Sequence, residues 1–111
     1  MSPSSEKKVR NILKHFPQLD SAYTGIYVEV FSSGASKGNA LRALQEYLGI
    51  TKEETAAIGD GENDLSMFRE AGLKIAMGNA VSLLKEKADR ITASNNQDGV
   101  AKAVESFILK L

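Results

Sequence analysis

Three carboxylates and an amide fall within Asp60-Gly61-Glu62-Asn63-Asp64, directly after the short apolar run TAAIG at 55–59. Acids this close repel one another unless a cation or solvent relieves them. A hard cation such as magnesium takes oxygen ligands, usually one or two protein carboxylates with waters and phosphate oxygens completing the set. Asp60, at the strand end, is the first candidate ligand. Gly59 and Gly61 let the backbone turn tightly around it, and Asn63 or Asp64 stands where a side chain can cap the next helix or reach a ligand. The same residues also make an ordinary solvated turn with a helix cap, and residue types alone do not choose between the two.

A second group is Ser36-Lys37-Gly38-Asn39. Lysine in the first turn of a helix faces the positive end of the helix dipole, and Gly38 beside it is a poor helix former. Local conflicts of this kind collect at functional sites. An ammonium group with free N–H groups at a helix start would bind a phosphoryl group, whereas an exposed lysine in that place costs only a fraction of a kcal/mol. A third group is the polar stretch Thr92-Ala93-Ser94-Asn95-Asn96-Gln97-Asp98-Gly99. Asp98 is expected to cap the final helix, and Asn96 could donate to an anion at the sheet edge. The single histidine, His15, closes a helix near exposed carbonyls and has no catalytic assignment.

The elements that must position these groups alternate in kind. Val9, Ile12, Leu13 and Phe16 recur at helical spacing behind Ser4 and Ser5 and before Pro17, which predicts a capped helix over 5–16. GIYVEVF at 25–31 reads as a strand covered on both faces, with Glu29 the polar exception. Ser36 caps a helix over 36–48 with Leu41, Leu44 and Leu48 on one face, and Gly49 ends it. Apolar runs at 55–59, 73–77 and 90–92 then alternate with helices at about 63–71, 80–87 and 98–110, the last carrying Val100, Val104, Phe107 and Leu111 on one face. Such βα alternation predicts an α/β fold with a parallel sheet, whose ligands lie beyond the carboxyl ends of the strands.

The bulk numbers bound the function. A chain of 111 residues is one domain or part of one, and 42% hydrophobic with 25% charged residues is globular composition. Fourteen basic side chains balance fourteen acidic ones, leaving no net field to gather nucleic acid or an anionic membrane. Without cysteine there is no disulfide framework or thiolate site, which suits a cytoplasmic protein. The polar start and the lack of a long apolar run point away from a signal peptide or membrane span.

Strand, S-K-G at a helix start, I-G-D-G-E-N-D-L-S-M at 58–67, I-A-M-G-N-A at 75–80 and A-D-x-I-T-x-S-N-N-x-D-G-V at 88–100 together closely resemble the Cof-type haloacid-dehalogenase phosphatases. The match covers about residues 27–108 and rests on four spaced motifs in the same order. The resemblance implies a partial Rossmann-like parallel sheet with flanking helices. It makes Lys37 the phosphate-stabilising lysine, Asp60 the magnesium ligand and Asp64 the companion acid, which orders the metal's waters or the lysine. Asn63 and Asn96 match amides near the phosphoryl oxygens. Residues 1–31 would be the tail of the family's cap domain, a helix and a strand, and residues 32–111 the C-terminal part of its core. Small phosphomonoesters such as sugar phosphates are the substrates the family implies.

The family's D-x-D-x-T strand, which carries the aspartate nucleophile, does not occur in these residues, and Asp20 in Leu19-Asp20-Ser21-Ala22 does not match it. The expectation is therefore a fragment that binds better than it reacts, completed by the remainder of the enzyme or by self-association. The strand at 55–59 would lack one neighbour, to be covered by the strand at 25–31 through a right-handed parallel crossover or by another chain. The G-D-G-x-N-D segment also resembles the phosphorylation domain of P-type cation pumps, and a non-catalytic phosphate-binding or assembly module is the third reading.

Overall fold

The computed structural model describes residues 2–23 and 26–110. It opens with α1, Pro3–Leu13, whose N-cap is Ser2, accepting from the Ser5 amide at 3.2 Å. Pro3 occupies the first helical position, where a missing N–H costs nothing. The helix thus starts and ends earlier than the spacing predicts, and Lys14 to Phe16 unwind in turns before Pro17. β1, Leu19–Tyr23, then pairs antiparallel with β2, Val28–Ser32, in the register Leu19↔Ser32 to Tyr23↔Val28. Gly25, which opens the predicted strand, lies outside the described residues, as does Leu111 on the predicted face of the last helix.

β1 has no sequence-based counterpart. Its polar Asp20 and Ser21 conceal a half-exposed strand in which only Ala22 is fully buried. β2 is correspondingly not covered on both faces, and Val30 stays about half exposed. The crossover that would lay β2 parallel to the 55–59 strand does not form either. A partner a few residues away satisfies the β2 ladder with a short loop, which costs less entropy than a long connection.

α2, Lys37–Leu48, has the predicted ends: Ser36 accepts from the Asn39 amide at 3.1 Å, and Gly49 closes it at φ 68°. The parallel sheet follows as β3 (Ala56–Gly59), β4 (Leu73–Ala76) and β5 (Arg90–Ile91), in that spatial order. β4 is central, pairing Gly59↔Ala76 on one side and Ala76↔Ile91 on the other. Among the described residues no strand lies on the far side of β3. A 3-10 turn at Glu62–Asp64 leads into α3, Leu65–Arg69, and α4 spans Ser82–Lys87. The core packs Phe68, Ala71 and Leu84 against Ala57, Ala76 and Met77, so the apolar centre belongs to β3, β4 and their helices. Gln45 is buried in α2 and donates through Nε2 to Thr55 Oγ1 and the Glu70 carbonyl, tying α2 to the start of β3 and the end of α3.

The last helix is shorter than its periodicity suggests. α5, Gly99–Ala103, gives way to a wider π-type turn over Val104–Ile108. Asp98 does not cap it. Its backbone is left-handed at φ 57°, its side chain makes no cap bond, and the Ser94 carbonyl instead gathers the amides of Gln97 and Gly99 at 3.0 Å. Aspartate tolerates this conformation better than most residues, which is the use the turn makes of it. No helix among the described residues is long and apolar enough to cross a membrane.

Candidate functional site

The chemistry assembles at the carboxyl end of β3. The Gly59 carbonyl accepts from Met77 at 2.9 Å and the Asp60 carbonyl from Val81 at 3.0 Å, so the strand exit is fixed from β4 and the approach to α4. Beyond it the chain doubles back, and the Asp64 carboxylate folds under the loop that leads to it. Asp64 Oδ2 accepts from the amides of Asp60 at 2.9 Å and Gly61 at 3.1 Å. A side chain on Gly59 would occupy that space, its Cβ falling 2.7 Å from Asp64 Cβ. Asp64 therefore does cap the turn, as the plainer reading has it, and it also does more.

Its other oxygen, Oδ1, accepts from Lys37 Nζ at 2.6 Å. The lysine arrives from the first turn of α2, and Gly38 explains how. The Gly38 amide donates to Ser66 Oγ at 3.0 Å, and a Cβ there would strike the Ser66 carbonyl, so α2 and α3 meet backbone to backbone at this point. The two local conflicts at Lys37 and Gly38 thus share one cause: glycine permits the approach that delivers the lysine to Asp64. Burial pushes the Asp64 carboxyl up. The hydrogen bonds from Lys37 and from the Gly61 and Asp60 amides outweigh that and hold it below the ordinary carboxylate range. Asp64 is 5% exposed and Lys37 52%, so the ammonium keeps a face toward solvent and toward any ligand.

The third acid of the loop is also paired. Glu62 Oε1 accepts from Arg10 Nη2 of α1 at 2.8 Å. Arg10 Nε lies 2.9 Å from Glu6 Oε1 as well, close enough for an ion pair but off the N–H direction, so it does not count as a hydrogen bond. Of the loop's three acids, Asp60 is the one whose exposed carboxylate has no side-chain cation paired to it among the described residues.

Lys37, Asp60 and Asp64 line one open cleft of about 580 Å³ together with Met67, Met77 and Asn95. Asn95 is a residue the sequence reasoning passed over in favour of its neighbour Asn96, which does not line that cleft. Asn79 Oδ1 accepts from the Asn95 amide at 2.9 Å and so sets the Asn95 backbone at the cleft wall. Asn63 faces a separate hollow of about 230 Å³, shared with Glu29, Phe31, Ser36, Lys37 and Ser66. Arg10 was invisible to motif reading because its partner lies 52 residues away. Among the described residues no three histidine or carboxylate side chains converge as a metal cage. The donor set fits a cation that keeps most of its waters and takes one direct carboxylate, which describes magnesium better than calcium.

A model of the haloacid dehalogenase-like hydrolases matches residues 2–104. The chain belongs to this family. It is 49% identical over 82 residues to the 5-amino-6-(5-phospho-D-ribitylamino)uracil phosphatase YcsE of Bacillus subtilis, covering 74% of this chain and 33% of that protein. Phosphoglycolate phosphatase of Methanobrevibacter smithii is 37% identical over 108 residues, covering 95% and 46%. A haloacid dehalogenase-like hydrolase from B. subtilis superimposes with a TM-score of 0.91 at 36% identity, covering 97% of this chain and 38% of that one. A sugar phosphatase of haloacid dehalogenase subclass IIB superimposes with a TM-score of 0.82 at 33% identity, covering 92% and 40%. The chain thus spans between a third and a half of the length of these relatives.

Proposed function

We propose that these residues are the magnesium- and phosphate-binding part of a phosphatase acting on small phosphorylated metabolites, with the nucleophile supplied by a segment outside them. The observation that carries this is the convergence of Lys37, Asp60 and Asp64 on one cleft at the carboxyl end of a parallel strand. The 5-amino-6-(5-phospho-D-ribitylamino)uracil, phosphoglycolate and sugar phosphatases among the relatives support the substrate class. The balanced charge of the chain favours it over nucleic acid.

In this reading Asp60 is the direct carboxylate of the metal site and Asp64 its companion acid. Bound magnesium would supply charge neutralisation at the phosphoryl oxygens. Asp64 holds Lys37 in place, and the half-exposed ammonium binds a phosphoryl oxygen and stabilises the charge that develops there. Asn95 borders the same cleft; the roles of Asn63 and Asn96 as phosphate donors stay with the family resemblance. The division at about residue 31 is supported by the two separate sheets: α1, β1 and β2 form the cap segment and residues 32–111 the core.

The 111-residue chain, incubated with magnesium and small phosphomonoesters, is expected to show no turnover, because positioning cannot replace the aspartyl nucleophile. Backbone NMR titration with magnesium chloride should move residues 59–64 first, and Asp60→Asn should abolish those shifts. Turnover that disappears in Asp60→Asn would establish a different nucleophile, and shifts centred elsewhere would refute the metal assignment.

A further inference from the structure

Of the three acids in the Asp60–Asp64 loop, Asp64 and Glu62 each have a side-chain cation as partner, and the partner of Glu62 comes from a distant element. We infer that Arg10 is a positioning residue that sets the cation affinity of the Asp60 site by holding the Glu62 carboxylate away from it. The inference rests on the reading of Asp60 as metal ligand. Arg10 belongs to α1 and Glu62 to the loop, and a 2.8 Å hydrogen bond between their side chains links the two. Both side chains are largely shielded, at 34% and 25% exposure, so water screens the pair less than it would a surface bridge. Arg10 also sits against Glu6, and its guanidinium therefore serves two acids at once.

The arrangement has a definite electrostatic consequence. With Arg10 in place, its one positive charge is shared between Glu62 and Glu6, so the Glu62 carboxylate two residues from Asp60 is partly offset and held toward α1. Loss of the guanidinium leaves Glu62 and Glu6 both uncompensated and the local field more negative, which draws divalent cations more strongly. Loss of the Glu62 charge alone leaves Arg10 paired with Glu6 and the local field less negative, and does the reverse. Because α1 and the loop are joined only through folded structure, the charge at the metal loop depends on α1 being docked.

A charge cycle read by magnesium titration tests this, with backbone amide shifts at constant pH and low ionic strength as the readout. Arg10→Met should bind magnesium on the order of fivefold more tightly, Glu62→Gln more weakly by a similar factor, and the double variant within about twofold of the wild type, all converging as salt is added. Arg10→Lys should stay near the wild type. A bridge that merely stiffens the loop would weaken binding in both single variants, and that result, or no change in either, overturns the inference. Asp60→Asn in the wild-type and Arg10→Met backgrounds separates the two claims. Binding that survives in both refutes the Asp60 assignment, whereas binding lost in both with no difference between Arg10→Met and wild type refutes only the role of Arg10.

Discussion

Substituting Gly38 by alanine sets two well-defined effects against each other. Alanine is the better helix former by about 0.8–1 kcal/mol at an interior position and by less in the first turn where Gly38 stands, so propensity alone predicts that Gly38→Ala stabilises the protein. The contact geometry predicts the opposite. The new Cβ would lie 2.7 Å from the Ser66 carbonyl carbon and 3.0 Å from Ser66 Cβ. These obstacles are the backbone and first side-chain carbon of α3, which cannot rotate aside, so the helices must separate. Overpacking of this kind costs about 1–3 kcal/mol, and the Gly38 amide bond to Ser66 Oγ is stretched as well, at about 0.5–1.5 kcal/mol. The net expectation is destabilisation by about 1–3 kcal/mol, the loss exceeding the propensity gain. Urea unfolding followed by circular dichroism measures it. Gly34→Ala serves as the control, since nothing lies within 4 Å of a Cβ there and its midpoint should barely move. The same displacement should pull Lys37 from Asp64, visible as a shifted Lys37 side-chain resonance. A Gly38→Ala protein more stable than the wild type would show that α2 and α3 do not meet at this point and would refute the account of how Lys37 is delivered.

Removing the Asp64 side chain with Asp64→Ala should cost about 2–4 kcal/mol in urea unfolding, because the Asp60 and Gly61 amides and Lys37 lose a charged acceptor. Its contribution should also be pH dependent: the unfolded carboxyl takes up its proton at higher pH than the folded one, so the stabilisation is complete above about pH 4 and disappears as pH falls through the lower folded value. Wild type should therefore lose more stability than Asp64→Asn between pH 5.5 and 2.5, and equal losses would contradict the depressed ionisation. Asn79→Ala should leave overall stability within about 1 kcal/mol yet shift the Asn95 amide resonance, since one hydrogen bond is removed at an exposed turn. The bare edge of β3 should drive self-association at micromolar concentration, detectable by sedimentation; a monomer whose unfolding is independent of concentration would show that the described strands close the core unaided.

Where burial and periodicity agreed, the sequence could be read directly. α2 has its predicted caps because Ser36 and Gly49 act through local backbone geometry, and the three parallel strands fall within a residue or two of the apolar runs. The failures have physical reasons too. β1 was hidden because a strand in an exposed hairpin need not be apolar: Asp20 is exposed and Ser21 only partly buried. At the start of the last helix Asp98 looks like a side-chain cap in sequence, but its side chain makes no cap bond and the Ser94 carbonyl of the preceding turn takes the Gly99 amide. Lys37, Asp60 and Asp64 were legible as candidates because they sit at element ends, and the fold brings them to one cleft. Arg10 and Asn79 were not, since a residue that acts by supporting another leaves no local mark.

The acidic loop shows most clearly why the step from composition to site needs coordinates. Three clustered acids invite the argument that a metal must relieve them, and that argument would hold for any of the three. The protein's own cations relieve two: Lys37 pairs with Asp64 and Arg10 with Glu62. Repulsion within the cluster is therefore no evidence for a metal, because the folded chain already disposes of most of it. What argues for one is the remainder. Asp60 is held by its backbone between Asp64 and Val81, its carboxylate exposed on a cleft that also presents an ammonium group. A fixed, solvent-facing acid beside a fixed cation is a poor way to stabilise a turn. It is a good way to hold a divalent ion beside a phosphoryl group, since the ion would neutralise the carboxylate left open and the solvent-facing side of the Lys37 ammonium would meet the phosphoryl oxygen.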